Sequence, residues 1–203
     1  MVMDVRDLSV ARGGVRLLEG ISFQLAPGQV VVLRGANGIG KTTLLRTLAG
    51  LQPADAGEVV ADEIAYSGHA DGLKAGLSVT ENLSFWAAVN GIDGVAAALT
   101  AMNLAGLRHR RAADLSAGQK RRLGLARLLV SGRAVWLLDE PTVSLDAASV
   151  DLFAAVLRAH LGRGGSALIA SHIDLGLPEA RDLDLTPFVA VPRGDGAFDA
   201  VFA

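Results

Sequence analysis

Three glycines, a lysine and two threonines stand close together in Gly35-Ala36-Asn37-Gly38-Ile39-Gly40-Lys41-Thr42-Thr43. The spacing fits GxxxxGK[ST], and the chemistry of that pattern is phosphate binding. Glycines let backbone amides converge on phosphate oxygens where a Cβ would collide. A helix opening at Lys41 would add the partial positive charge of its N-terminus. The Lys41 ammonium suits β- and γ-phosphates, and the Thr42 hydroxyl suits Mg2+. A plain glycine-rich turn before a helix would not need the lysine and threonine at these positions.

A second candidate is Val135-Trp136-Leu137-Leu138-Asp139-Glu140, an apolar run ending in two acids. A strand end beside a phosphate loop is where an aspartate organising Mg2+ belongs, and Asp139 takes that role. Glu140 would polarise an attacking water, a general-base task. Acids also gather at helix starts after strands. The phosphate loop is what favours the chemical reading. Another apolar run, Ser166 to Ala170, ends in Ser171-His172.

Such residues need strands and helices to hold them. Val30 to Arg34 reads as a core strand after a Pro27-Gly28 turn. Lys41 to Ala49 reads as a helix stopped by Gly50. Strands are expected near Val5 to Val10 and Val15 to Leu25, the latter with Ile21, Phe23 and Leu25 inward. Glu58 to Val60 and Ile64 to Tyr66 carry further strand signals. Residues 70–132 read as mostly helical, with breaks at Gly91, Gly94 and Gly106. There Thr80, with Leu83 and Trp86 along one face, is expected to start one helix, and Asp93 to cap another. Strand–helix alternation returns with strand 134–138, helix 147–161 and strand 166–170. The tail from Asp182 to Ala203 is ambiguous, with short strands the reading it allows. The expected class is α/β: a nucleotide-binding core with a mainly parallel sheet, an N-terminal antiparallel β region and a helical insert at about 70–132.

Composition narrows the function classes. The 203 residues suit one sizeable domain. With 19 basic and 21 acidic residues the net charge is −2, so charge makes no case for nucleic acid. Hydrophobic residues reach 51%, yet the apolar runs are far shorter than the roughly 20 residues of a spanning helix. No secretory signal pattern opens the chain. Cysteine is absent, which excludes disulfides and thiolate metal sites.

Leu115-Ser116-Ala117-Gly118-Gln119 precedes a basic helix and puts Ser116 23 residues before Asp139. With the phosphate loop and Asp139-Glu140, this segment resembles the ATP-binding cassette family, whose signature is LSGGQ. Ala117 replaces the first signature glycine. Ser144-Leu145-Asp146 is similar to the family's D-loop, and Ser171-His172 to its switch histidine. The resemblance covers essentially the whole chain. It implies one ATP-binding domain over 1–203, with ATP and Mg2+ as ligands. It also implies a second copy of this chain, paired head to tail. Ser116, Ala117, Gly118 and Gln119 of one copy would complete the other's site. Ser116 and the Gly118 amide, at a helix start, would donate to γ-phosphate oxygens. His172 would contact the γ-phosphate and help hold the water. Transmembrane permease subunits would be partners, with this chain peripheral on the cytoplasmic face of the inner membrane.

Two positions depart from the family pattern. An aromatic residue usually stacks on adenine 29 positions before the loop lysine; here Arg12 stands there. A guanidinium plane can stack on a base. The usual glutamine after the Ile64-Ala65-Tyr66 strand is His69, which could reach the attacking water; a surface-loop histidine explains it equally well. His69, the Phe85-Trp86 pair and Trp136-Leu137-Leu138-Asp139-Glu140 resemble the haem-exporter ATPases of c-type cytochrome maturation. With no cysteine and four scattered histidines, haem is expected not to touch this subunit. His109 and His160 read as surface residues. The clusters Arg108 to Arg111 and Lys120 to Arg122 read as solvated, and Leu77, Phe85 and Trp86 as core rather than a docking patch. Other cassette transporters and soluble cassette ATPases are the alternative functions. A small phosphate-loop kinase would leave the signature unexplained.

Overall fold

The computed structural model describes residues 2–172 and 175–191, so the 192–203 part of the tail that begins at Asp182 lies outside the described residues. The first two strands, β1 (Met3–Arg12) and β2 (Val15–Leu25), form an antiparallel hairpin. Gly13 and Gly14, at φ 58° and 81°, make its two-residue turn, which needs positive φ at both positions. β4 (Ala56–Ala61) pairs antiparallel with β1 on its other side.

A second, wholly parallel sheet runs β5-β6-β7-β3-β8. Its strands are β3 (Val30–Arg34), β5 (Ile64–Ser67), β6 (Val135–Asp139), β7 (Ser166–Ala170) and β8 (Arg181–Asp184). Ala170 is level with Asp139 on one side and Leu33 on the other. The carboxyl ends of β3, β6 and β7 therefore form one edge, where open parallel sheets bind ligands.

The central strands are buried on both faces, and their residues alternate between two cores. Val135 and Leu137 join one core with Val31, Leu33 and Leu168. Trp136 and Leu138 join the other with Val30, Ala167 and Ile169. The first core packs the antiparallel sheet and α1 (Lys41–Leu48) on the parallel sheet. The second packs α2 (Val79–Asn90), α3 (Val95–Ala101), α4 (Ala117–Leu129) and α5 (Ala147–Gly162). Each buried Leu, Val or Phe side chain in these layers contributes about 1.5–3 kcal/mol.

All the helices from α2 to α4 fall between β5 and β6. Ser78 caps α2 through a capping box with Glu81, and Gly91 ends it in the left-handed conformation. The start is thus set by Ser78, not Thr80. Asp93 does not cap α3: Gly94 is the N-cap, and Asp93 Oδ1 accepts only from the next amide.

Three side chains differ from the sequence expectation: His160 and Arg121, expected at the surface, are buried, and Phe85, expected in the core, is exposed. His160 is buried, stacked on Trp136 with centroids 3.7 Å apart, because α5 lays it over the sheet. Burial pulls its pKa down. Arg121 is only 4% exposed, whereas Lys120 and Arg122 are half-buried. Phe85 is half exposed, on the solvent side of α2, while Trp86 lies beneath the Arg127 guanidinium. No helix among the described residues is long and apolar enough to cross a membrane.

Candidate active site

The phosphate loop leaves β3 at Gly35 and enters α1 at Lys41. Gly35, Gly38 and Gly40 have φ of 142°, 81° and 118°, conformations that side chains resist. Gly40 is the N-cap of α1 and no side chain covers it. The first amides of that helix have no intrahelical acceptor and face the loop. Lys41 is 8% exposed, and its ammonium bridges the loop by donating to Gly35 O at 2.7 Å and Ala36 O at 3.2 Å.

Thr42 joins the loop to the end of β6. Its hydroxyl donates to Asp139 Oδ1 at 3.1 Å, and Tyr66 on β5 donates to Oδ2 at 3.5 Å. Asp139 is 1% exposed. Burial and the Asp139 charge push the Tyr66 hydroxyl up to about 12, so it remains a donor at neutral pH. Glu140 follows with φ 49°, rare for a residue with a side chain. Its amide donates to Ala170 O at 2.8 Å, and its Oε1 lies 3.4 Å from His172 Nε2.

These groups line one cleft of about 550 Å³. It gathers Asn37, Gly38, Gly40, Lys41, Thr42, Thr43, Asp139, Glu140 and His172. His69 reaches its wall, and Arg12 stands at its rim on the β1–β2 hairpin. Ala36 is exposed at the loop's outer turn, and Ile39 packs under the loop.

The signature residues lie elsewhere. Ser116 is the N-cap of α4, accepting from the Gln119 amide at 3.3 Å while Gln119 Oε1 accepts from the Ser116 amide at 2.9 Å. This capping box uses both side chains locally. Ala117 lines a smaller cavity of about 180 Å³ with His69, Asp71, Arg121 and Ser144. A Cβ on Gly118 would sit 3.0 Å from Ser144 O, so the glycine permits close contact with the D-loop. Asp146 caps α5 by accepting from the Ser149 amide at 2.8 Å, and those Ser149 bonds hold its pKa down. Ser116, Gly118, Gln119 and Asp146 therefore do not line the cleft of their own chain.

Tyr66 and Arg121 also bear on this site, beyond the residues that the sequence motifs mark. The signal for Tyr66 is its place three residues before His69 at a strand end. For Arg121 it is the helical spacing to Leu125 and Leu128, which marks a buried face.

A model of the ABC transporter family matches residues 18–143. The chain is 66% identical over 203 residues to the cytochrome c biogenesis ATP-binding export protein CcmA of Rhodobacter capsulatus, covering 99% of this chain and 95% of the relative. It is 68% identical over 191 residues to the protein of that name in Paracoccus denitrificans, covering 93% and 91%. An ABC transporter ATP-binding protein from Pyrococcus furiosus has a similar structure, with TM-score 0.83 and 26% identity, covering 93% of this chain and 99% of that one.

Proposed function

The chain belongs to the ABC transporter family, and we propose that it is the ATP-hydrolysing subunit of an exporter serving c-type cytochrome biogenesis. The observation that carries this reading is 66% identity over nearly the whole chain to a protein named for that process. The convergence of Lys41, Thr42, Asp139, Glu140 and His172 on one cleft supports the hydrolytic part.

The mechanism follows from the donors and acceptors. Loop amides and Lys41 bind the phosphates of ATP, and Arg12 offers a plane against the base. A hydroxyl and a buried carboxylate 3.1 Å apart are hard oxygen donors, a set that fits Mg2+. Thr42 and Asp139 would hold it, and the ion would neutralise charge on the β- and γ-phosphates. Glu140 accepts a proton from the attacking water, and His172 restrains that water and the Glu140 carboxylate. His69 approaches the same space from the β5 exit.

A second copy of this chain, arranged head to tail, would bring Ser116, Ala117, Gly118, Gln119 and the segment around Asp146 over the γ-phosphate. The placement of these residues outside their own cleft supports that arrangement. Residues 70–132 act as a helical subdomain within the single domain 1–203. Beside β5 a groove of about 360 Å³, lined by Tyr66, Trp86 and Arg127, suits a segment of a transmembrane permease subunit. Through that partner the chain would sit peripherally on the cytoplasmic face of the inner membrane. Haem would be the exporter's concern and not a ligand of this subunit.

The test is deletion of the gene, with covalent haem on c-type cytochromes as the readout. Loss of attachment, restored by the wild-type gene and not by Glu140→Gln, is expected. Normal attachment in the deletion strain would reject the cytochrome reading.

A further inference from the structure

Arg121 spends its donors in two directions. Toward the end of β6, Nε donates to Pro141 O at 2.9 Å, and Nη2 to Glu140 O at 2.7 Å and Asp139 O at 3.3 Å. Toward the exit of β5, Nη1 donates to Gly68 O at 2.8 Å and to Asp71 Oδ1 at 3.1 Å. A cation this buried is costly unless its donors are matched, and here carbonyls and one carboxylate match them.

The acceptors are what give these bonds a bearing on turnover. Glu140 holds a positive φ, with its amide tied to β7 and its carbonyl tied to Arg121. Gly68 immediately precedes His69. The same segment is fastened again lower on α4, where Arg127 Nη1 donates to Asp71 O at 2.5 Å. Between the two arginines, Gly124 lets Asp71 approach: a Cβ there would lie 3.0 Å from Asp71 Cβ. The helix carrying both arginines begins at Ser116. One arm thus joins the signature loop, the His69 segment and the turn that aims Glu140.

We propose that Arg121 is a positioning residue for hydrolysis, setting the Glu140 turn and the His69 segment relative to α4. This rests on the ATPase reading. Lysine keeps the charge but is a single point donor, and cannot span both sets of acceptors as the planar fork does. Of the groups that would hold ATP and its Mg2+, Arg121 touches only the backbone carbonyl of Asp139, and neither the Asp139 carboxylate nor Lys41 nor Thr42. Misplacing a reacting group by about 1 Å can cost up to about 100-fold in rate.

The experiment measures steady-state ATP hydrolysis by the assembled exporter with Arg121→Lys. The expected result is kcat reduced at least about 10-fold with KM for ATP within about 3-fold of wild type. If Arg121→Lys does not fold, Asp71→Ala removes the side-chain acceptor alone and should lower kcat several-fold at unchanged KM. Wild-type kcat in a folded Arg121→Lys, or failing that in Asp71→Ala, overturns the proposal. So does a loss carried entirely by KM. Absence of turnover in the wild-type exporter would instead overturn the ATPase reading beneath it.

Discussion

The nucleotide cleft and the signature loop both use a helix N-terminus, yet they are finished differently. At the cleft, the N-cap of α1 is a glycine with no side-chain cap, and the groups around it bond across three elements. At the signature loop, Ser116 and Gln119 bond each other and close the start of α4 within four residues. A helix start left open by its own chain is available to a ligand. A capped one is stable alone, and acquires a second use only when another surface meets it. On the proposed function, a lone chain would bind phosphate through α1, while the α4 face is offered outward.

The sharpest break in that comparison comes from Glu140→Gln. It removes the proposed proton acceptor and leaves loop, lysine and threonine intact. Turnover should fall by about 100- to 10,000-fold with ATP binding retained, and ATP should trap a dimer detectable by size-exclusion chromatography. Ser116→Arg strikes the other region. Hydrolysis should be lost while equilibrium nucleotide binding by the isolated chain stays near wild type. Loss of binding would place Ser116 in its own chain's cleft. Ser116→Ala separates the cap from any contact in trans, costing about 1 kcal/mol in denaturant unfolding. His69→Gln is the mildest change to the site, since His69 touches both the cleft and the cavity beside Ala117. Turnover should stay within a few-fold; complete loss would show that the imidazole does what an amide cannot.

A stability control lies away from both regions. Burial lowers the pKa of His160, so the folded protein resists protonation there. The unfolded chain takes up that proton near pH 6.5, its ordinary value. The contribution is therefore intact above about pH 6.5 and falls as pH drops through it. Thermal unfolding of His160→Phe should depend less on pH across that window, with binding and turnover per folded molecule unchanged.

How legible the molecule is from sequence also differs between regions. The phosphate loop and Asp139-Glu140 are readable because their chemistry fixes residue types at fixed offsets beside apolar strands. The two cores are readable from period-2 alternation, as at Val135 to Leu138. Single side chains in mixed-polarity helices are harder. Arg121 sits between Lys120 and Arg122, so local charge suggests solvent; only the packing of α4 on the β6 turn buries it. His160 carries no sign of the Trp136 ring, which is brought to it by α5 crossing the sheet. The Ser116–Gln119 capping box is written in the sequence as S-x-x-Q, a pattern the signature resemblance overshadows.

On the proposed arrangement the two regions form one site only across two chains, and mixing inactive variants tests this most directly. Glu140→Gln and Ser116→Arg are each expected to be inactive alone. Mixed in equal amounts within the exporter, they form dimers in which one cleft has wild-type Glu140 and faces a wild-type Ser116. ATP hydrolysis should reappear on mixing. A mixture as inactive as its parents, with mixed dimers demonstrably formed, would contradict it.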